Sequence, residues 1–228
     1  MKINAVLIRL LMLTITMSMV ANKAYPQELQ FGLYAEPLIS WFSSDTEASE
    51  NNGARPGIAF GLTFDKYFAR NYAFSSGISI INASGRLTYA DTLSLRLKNS
   101  TLELNAGDKI SYRIQYLAVP LGIRMKTNRI GYTTFFANVG MCPKIVIGGK
   151  ASIPSLDIEK ENISKELRLF NLGYGITVGV EYSLGGKSAI ILGIAYEDNF
   201  LDVTRDYSGQ PMDRIGHHMI RFRTGLNF

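Results

Sequence analysis

Residues 170–182 read FNLGYGITVGVEY, and they alternate without a break. Phe170, Leu172, Tyr174, Ile176, Val178, Val180 and Tyr182 are apolar or aromatic. Asn171, Gly173, Gly175, Thr177, Gly179 and Glu181 are small, polar or charged. A period of two over this length demands a β-strand with two unlike faces. In a soluble sandwich the wet face would carry Lys, Glu and Thr. Here it is mostly glycine, which suits the cramped interior of a narrow barrel whose apolar face is turned to apolar surroundings.

The pattern recurs along the chain. Leu29, Phe31, Leu33, Ala35, Pro37, Ile39 and Trp41 share one face of a first strand, and Ile58, Phe60, Leu62 and Phe64 of a second. Phe74, Ile78 and Ile80 mark a third strand, and Leu117, Val119, Leu121, Ile123 and Met125 a fourth, running from Ile110 to Lys126. Phe135, Ala137, Val139 and Met141 mark a fifth. Ile190, Leu192, Ile194 and Tyr196 follow the opening stretch, and Ile220, Phe222, Leu226 and Phe228 end the chain. Four polar stretches, Ser43–Arg55, Asn82–Lys109, Gly148–Lys165 and Asp198–Asp213, read as long loops and alternate with tight turns. Within the second, Leu93, Leu95 and Leu97 read as a hairpin extension beyond the membrane. Eight strands, alternating loop lengths and both termini on the short-turn side describe an all-β fold. The expectation is an eight-stranded antiparallel up-and-down transmembrane β-barrel of the outer-membrane type. Its short turns and termini are expected in the periplasm and its long loops outside the cell. The soluble rival, a lipocalin-like barrel, would pack all these aromatics inside and leave glycine and alanine outside.

Charge supports the membrane reading. None of the apolar-face residues named above is Asp, Glu, Lys or Arg, and the only histidine of that parity is His218, near one end. A Lys or Arg facing mid-membrane lipid costs about 2–4 kcal/mol. Aromatics gather at strand ends, with Tyr67, Phe68, Tyr72, Tyr132, Tyr182 and Phe228 on the short-turn side and Trp41 and Phe42 on the other. These read as two interfacial girdles. Pro37, Pro120 and Pro143 each remove a ladder donor, so bulges or strand ends are expected near them.

The N-terminus has the layout of a secretory signal peptide: Lys2 and Arg9, an apolar run from Leu10 to Val20, then Ala24 as the expected cleavage point. A retained anchor is the alternative. The expected division is residues 1–24 as leader and 25–228 as barrel domain. Without the leader, basic residues fall from 24 to 21 against 19 acidic. The net charge of +5 therefore comes mostly from the leader, and no clustered patch points to nucleic acid. Cys142 is the single cysteine, so no internal disulfide forms.

The string YLAVPLGIRMK (Tyr116 to Lys126) resembles the YLEIPL-type strand of the PorT-like outer-membrane β-barrel family of the Bacteroidetes. FGLYAEP near the start, Asn71 to Gly77, VEYSLGG (Val180 to Gly186) and the terminal RTGLNF add to the resemblance. Ala118 departs from it, because the family often carries an inward acidic residue there. The resemblance implies an eight-stranded outer-membrane barrel. The name-giving member is an accessory of type IX secretion and gliding, but membership does not by itself carry that role over.

Glu36, Arg124, Glu181, Glu197, Arg221 and Arg223 fall on the inward face, with Asp65 at one end. If the first and last strands pair, Glu36 lies beside Arg221 and Arg223. An ion-pair network filling the lumen is expected, because eight strands leave room only for side chains; a charged, conducting constriction is the rival. His217 and His218 are adjacent and point to opposite faces, so they cannot bind one metal together. A rim enzyme using His217 with Ser208 is conceivable, but neither an oriented base nor a nucleophile motif is visible, and both histidines read as interfacial. Gly173, Gly175 and Gly179 lie within a strand and make no dinucleotide loop.

The expected function is non-enzymatic, without catalytic residues, metal or cofactor: a structural or accessory barrel in a secretion or envelope-assembly complex. Alternatives are a surface binding or adhesion module acting through the long loops, or a narrow small-solute channel. Expected partners are outer-membrane lipid, the barrel-assembly machinery, for which Phe228 would be the C-terminal signal, and other envelope proteins, but not nucleic acid.

Overall fold

The computed structural model describes residues 28–97, 100–205 and 213–228. The expected leader and Ser208 lie outside the described residues. In chain order the strands are β1 (Leu29–Ser44), β2 (Ser49–Ala69), β3 (Tyr72–Tyr89), β4 (Leu93–Arg96), β5 (Thr101–Leu104), β6 (Lys109–Ala118) and β7 (Leu121–Lys126). They continue with β8 (Thr133–Ile153), β9 (Ile158–Asn162), β10 (Phe170–Gly185), β11 (Ser188–Asn199) and β12 (Ile215–Asn227). β6 and β7 are one stave interrupted at Val119 and Pro120. Across that break the register against β8 is kept, with Ala118 opposite Lys144 and Leu121 opposite Met141, and a bulge lies earlier, between Gln115 and Tyr116. Counted so, eight antiparallel staves form a ring. β12 pairs with β1 to close it. At the seam the Phe228 N–H donates to the Phe31 carbonyl at 2.9 Å, and the Phe31 N–H donates to the Phe228 carbonyl at 3.1 Å.

Polarity is inverted relative to a soluble barrel. Leu62, Phe74, Ile78 and Leu192 on the outer wall are 54–58% exposed, whereas Glu36, Arg124, Lys144 and Glu197 are at most 1% exposed. Strand parity alone achieves this, because alternate side chains point to opposite faces. An exposed apolar wall of this extent is stable only against lipid.

Three of the four expected long loops, Ser43–Arg55, Asn82–Lys109 and Gly148–Lys165, are largely sheet. β2 and β8 each run 21 residues, roughly twice the 9–11 that a tilted strand needs to cross a bilayer. The polar stretch after Ser44 contains only a four-residue connection before β2 begins, and Ser49 and Glu50 pair with Tyr89 and Thr88. Composition misleads there because strands standing clear of lipid have water on their outer face and need no apolar stripe. β4 and β5 do not extend the barrel wall. They form a separate hairpin whose Leu95 and Leu104 are buried in one apolar cluster with Phe42, Leu87, Ile110 and Tyr112.

Other expectations change in detail. Pro120 does interrupt a strand. Pro37 and Pro143, however, sit in unbroken register opposite Ile58 and Leu172, held there by the flanking pairs. Phe42 is not in a girdle: parity turns it inward at 1% exposure. A Cβ at Gly85 would lie 2.3 Å from the Phe42 ring, so glycine makes the space that the ring fills. Tyr67 also faces inward, with Lys126 Nζ 5.0 Å from its ring centroid.

Candidate functional site

The lumen holds two lattices of buried ion pairs. In the first, Glu36 accepts from Arg223 Nε at 2.5 Å and lies 3.5 Å from Arg221, while Arg221 reaches Glu197 at 2.8 Å. Lys144 Nζ donates to Glu197 at 2.5 Å and to Asn199 Oδ1 at 2.7 Å. Arg221 thus bridges two carboxylates, and Glu197 bridges two cations. In the second lattice, Arg124 donates to Asp65 at 2.9 Å and to Glu181, and Lys126 reaches Glu181 at 2.8 Å. Asn227 donates to Glu181 at 3.0 Å. Aromatic faces add support: the Arg124 guanidinium lies 4.2 Å from the Phe136 ring and that of Arg223 4.3 Å from Tyr34. In a low-dielectric interior such charges persist only when paired and hydrogen-bonded. The glycine face makes room for them. A Cβ at Gly173 would lie 2.9 Å from Glu197 Oε1 and 3.2 Å from Lys144 Cε.

The two ends of the lumen differ. Towards the long hairpins the two lattices give way to largely apolar packing, with Glu166, Asp202 and Asp213 also buried there. Phe42, Ile81, Tyr116, Leu95, Ile163, Leu167 and Val203 form one buried cluster, so the hairpin β4–β5 and the segments after β9 and β11 close the mouth. Each such large side chain contributes about 1.5–3 kcal/mol through burial. Towards the short turns the barrel opens into a cup of about 590 Å³, lined by Gln30, Tyr67, Arg70, Lys126, Arg129 and Lys187 among others. Lys126 and Glu181 of the second lattice belong to its lining. The mid-lumen cavity measures only about 50 Å³.

All six inward charges named from the sequence face the lumen, and the first lattice brings Glu36, Arg221 and Arg223 together across the closing seam. Lys144 was missed. Its parity on β8 places it with Asn138 and Gly140, but the weak alternation of that strand hid it. Ala118, where the resembling family often carries an acid, is buried in the apolar cluster instead. His217 is not interfacial. It is fully buried, 4.5 Å ring to ring from Phe42, and Tyr116 lies within hydrogen-bond distance of its Nδ1 at 3.0 Å. His218 faces the opposite way and stacks on Trp41 at 5.6 Å, with Ser43 and Asp198 in hydrogen-bond contact. Ser43 and Asp198 were not singled out in the sequence: they lie 155 residues apart and meet only because β1 and β11 flank β12.

The family model described as "Outer membrane protein beta-barrel domain" matches residues 20–205. No curated protein matches the sequence. Among solved structures, Neisserial surface protein A is similar, with a TM-score of 0.45 and 9% identity over 87% of this chain and 95% of that one. The attachment invasion locus protein Ail of Yersinia pestis has a TM-score of 0.43 and 11% identity over 88% and 99%. The outer membrane protease OmpT of Escherichia coli has a TM-score of 0.42 and 10% identity over 89% and 93%. At these levels nothing about the activity of this chain follows.

Proposed function

The chain belongs to the outer membrane protein β-barrel domain family, and from that premise we propose that it is a sealed barrel that works through its surfaces rather than through its lumen. Membership makes it a membrane protein of the bacterial outer membrane. The observation that carries the reading is how little space the described residues leave at mid-lumen, a cavity of about 50 Å³. Ion-pair lattices occupy the charged part, and the apolar cluster around Phe42 and Leu95 closes the end beyond it. In the proposed orientation the short turns and the cup face the periplasm, and the long hairpins stand outside the cell.

The finer reading is an accessory place in a secretion or envelope-assembly complex, in keeping with the PorT-like resemblance of Tyr116 to Lys126. The ordered polar sheet beyond the membrane supports it, because rigid hairpins present a fixed surface for docking. Planar-bilayer recording tests the seal. Silence across the applied voltages is expected, and steady single-channel steps would overturn it. Cross-linking in native membranes, with mass spectrometry of the linked peptides, tests the accessory role. Links from residues 148–165 to one envelope protein are expected. A complement of links indistinguishable from that of an unrelated barrel of equal abundance counts against it.

The same hairpins favour one alternative, a surface binding or adhesion module. Deleting residues 154–162 separates the two: loss of cell attachment with intact cross-links would favour adhesion.

A further inference from the structure

At the rim opposite the short turns, three outward-facing residues on adjacent strands form one hydrogen-bonded line. Ser43 on β1 has its Oγ 2.6 Å from His218 Nε2 on β12. His218 Nδ1 lies 3.1 Å from Asp198 Oδ1 at the end of β11. Asp198 is itself held: its Oδ1 accepts from the Asn199 N–H at 2.7 Å and its Oδ2 from the Tyr174 hydroxyl at 2.9 Å. The His218 ring is also stacked on Trp41 at 5.6 Å, and the Tyr196 hydroxyl, 3.2 Å from Nδ1, shares that nitrogen with Asp198. A nucleophile, a base in contact with it and a carboxylate orienting that base are the parts of an acyl-transfer triad, which is recognised by geometry and roles and not by order in the chain.

Two independent features give this line a substrate. Gly216 faces outward directly beside it, and a Cβ there would lie 2.9 Å from Ser43 Oγ and 3.5 Å from His218 Nε2. The missing side chain leaves room above the serine for a carbonyl carbon. The surroundings are interfacial: Tyr174, Tyr196 and Phe200 are 39–45% exposed on the same wall, as in the aromatic belt that sits at headgroup level. That is the depth at which the ester linkages of membrane lipids lie. Arg214 is at the same rim, donating to the Phe200 carbonyl at 2.8 Å, a cation suited to the anionic headgroups found there.

We propose that Ser43, His218 and Asp198 form a catalytic site for hydrolysing long-chain acyl esters of envelope lipids that reach it sideways from the bilayer. His218 Nε2 takes the Ser43 Oγ proton as Oγ attacks the ester carbonyl carbon. The bond from that carbon to the alkoxy oxygen breaks, and His218 returns the proton to the departing alcohol, leaving an acyl-Ser43 ester. Water then attacks this ester, giving up a proton to His218. The fatty acid leaves, and the proton returns to Ser43. Asp198 keeps Nδ1 protonated and stabilises the imidazolium formed in each half. The only co-reactant is water. This departs from the expectation of a barrel without enzymatic activity. It is independent of the seal: channel steps would overturn the sealed reading and leave this site standing.

The test uses the full mature chain folded in detergent micelles, its fold checked by β-sheet circular dichroism. A long-chain alkyl fluorophosphonate is expected to modify the wild type at Ser43, located by peptide mass spectrometry, which needs no variant. Fatty-acid release is then measured from two substrates, a glycerophospholipid and purified lipopolysaccharide, and release from one alone names the lipid. Ser43→Ala and His218→Gln are expected to lower release at least about 10³-fold. Ser188→Ala at the opposite end leaves it unchanged. Asp198→Asn is expected to lower turnover with little change in KM and to alter the pH profile, as a residue that only packed the rim would not. No adduct at Ser43 together with no release above protein-free controls overturns the proposal, as does release that survives Ser43→Ala.

Discussion

Glu197 offers the sharpest test of how dry the lumen is. Its carboxylate is 1% exposed and accepts from Lys144 at 2.5 Å and Arg221 at 2.8 Å. Glu197→Leu leaves both cations inside the barrel. Removing one partner of a buried pair costs about 3–5 kcal/mol, because the remaining charge has lost both water and counter-charge. Here each cation keeps something: Lys144 retains Asn199 at 2.7 Å, and Arg221 retains Glu36 at 3.5 Å. The lower end, about 3 kcal/mol, is therefore expected. For a chain of this size that is a fall of roughly 6–12 °C in the unfolding midpoint. Denaturant titration in lipid vesicles, followed by circular dichroism, measures the free-energy loss, and a thermal melt of the same samples measures the midpoint. Adding Lys144→Met should recover a large part of the loss, since it removes one of the two stranded charges. A lone Glu197→Leu that unfolds within about 0.5 kcal/mol of wild type would mean a lumen wet enough to solvate ions, and the filled-interior argument would fail.

Three further outcomes follow from the same geometry. Leu62→Arg, on a wall position 56% exposed, should cost about 2–4 kcal/mol in vesicles, whereas Glu50→Arg on the outer hairpin should stay within about 0.5 kcal/mol; the two denaturation curves check it. Gly85→Ala drives a methyl group to 2.3 Å from the Phe42 ring and should cost about 1–3 kcal/mol. Phe42→Leu in the same chain should relieve part of that, measured as a non-additive double-mutant cycle. Removing Glu36 and Arg223 together should leave planar bilayers silent, because the apolar closure around Leu95 and Ile163 remains; conductance in that variant would place the seal in the charges alone.

Parity made the wall and the inward charges legible. One alternating stretch such as Phe170 to Tyr182 assigns every side chain to lipid or lumen, and ring closure then sets Glu36 beside Arg221 and Arg223. Where the alternation was poor, reading failed: Lys144 lies on β8, whose Thr134, Phe135 and Phe136 blur the period. Loop extents failed for another reason. Polar strands above the membrane have the composition of loops, so Ser49 to Arg55 gave no sign of pairing. The inward turn of β4–β5 rests on Leu95 and Leu104 finding Phe42 and Tyr112, contacts between distant segments that no local period encodes. Ser43, His218 and Asp198 were illegible for the same reason. Each is an ordinary rim residue until adjacent strands set the three side by side.

The backbone exchange between Phe31 and Phe228 imposes an order on biogenesis. The first stave cannot find its final neighbour until β12 has been made and delivered, so the ring cannot close before then. Until that moment Glu36 has no Arg223, and the serine at the rim has no histidine. A chain without β12 would therefore lose more than one stave. It would be left with a bare edge, stranded charges and no assembled rim, and charge pairing and rim geometry would both report whether the circle had shut.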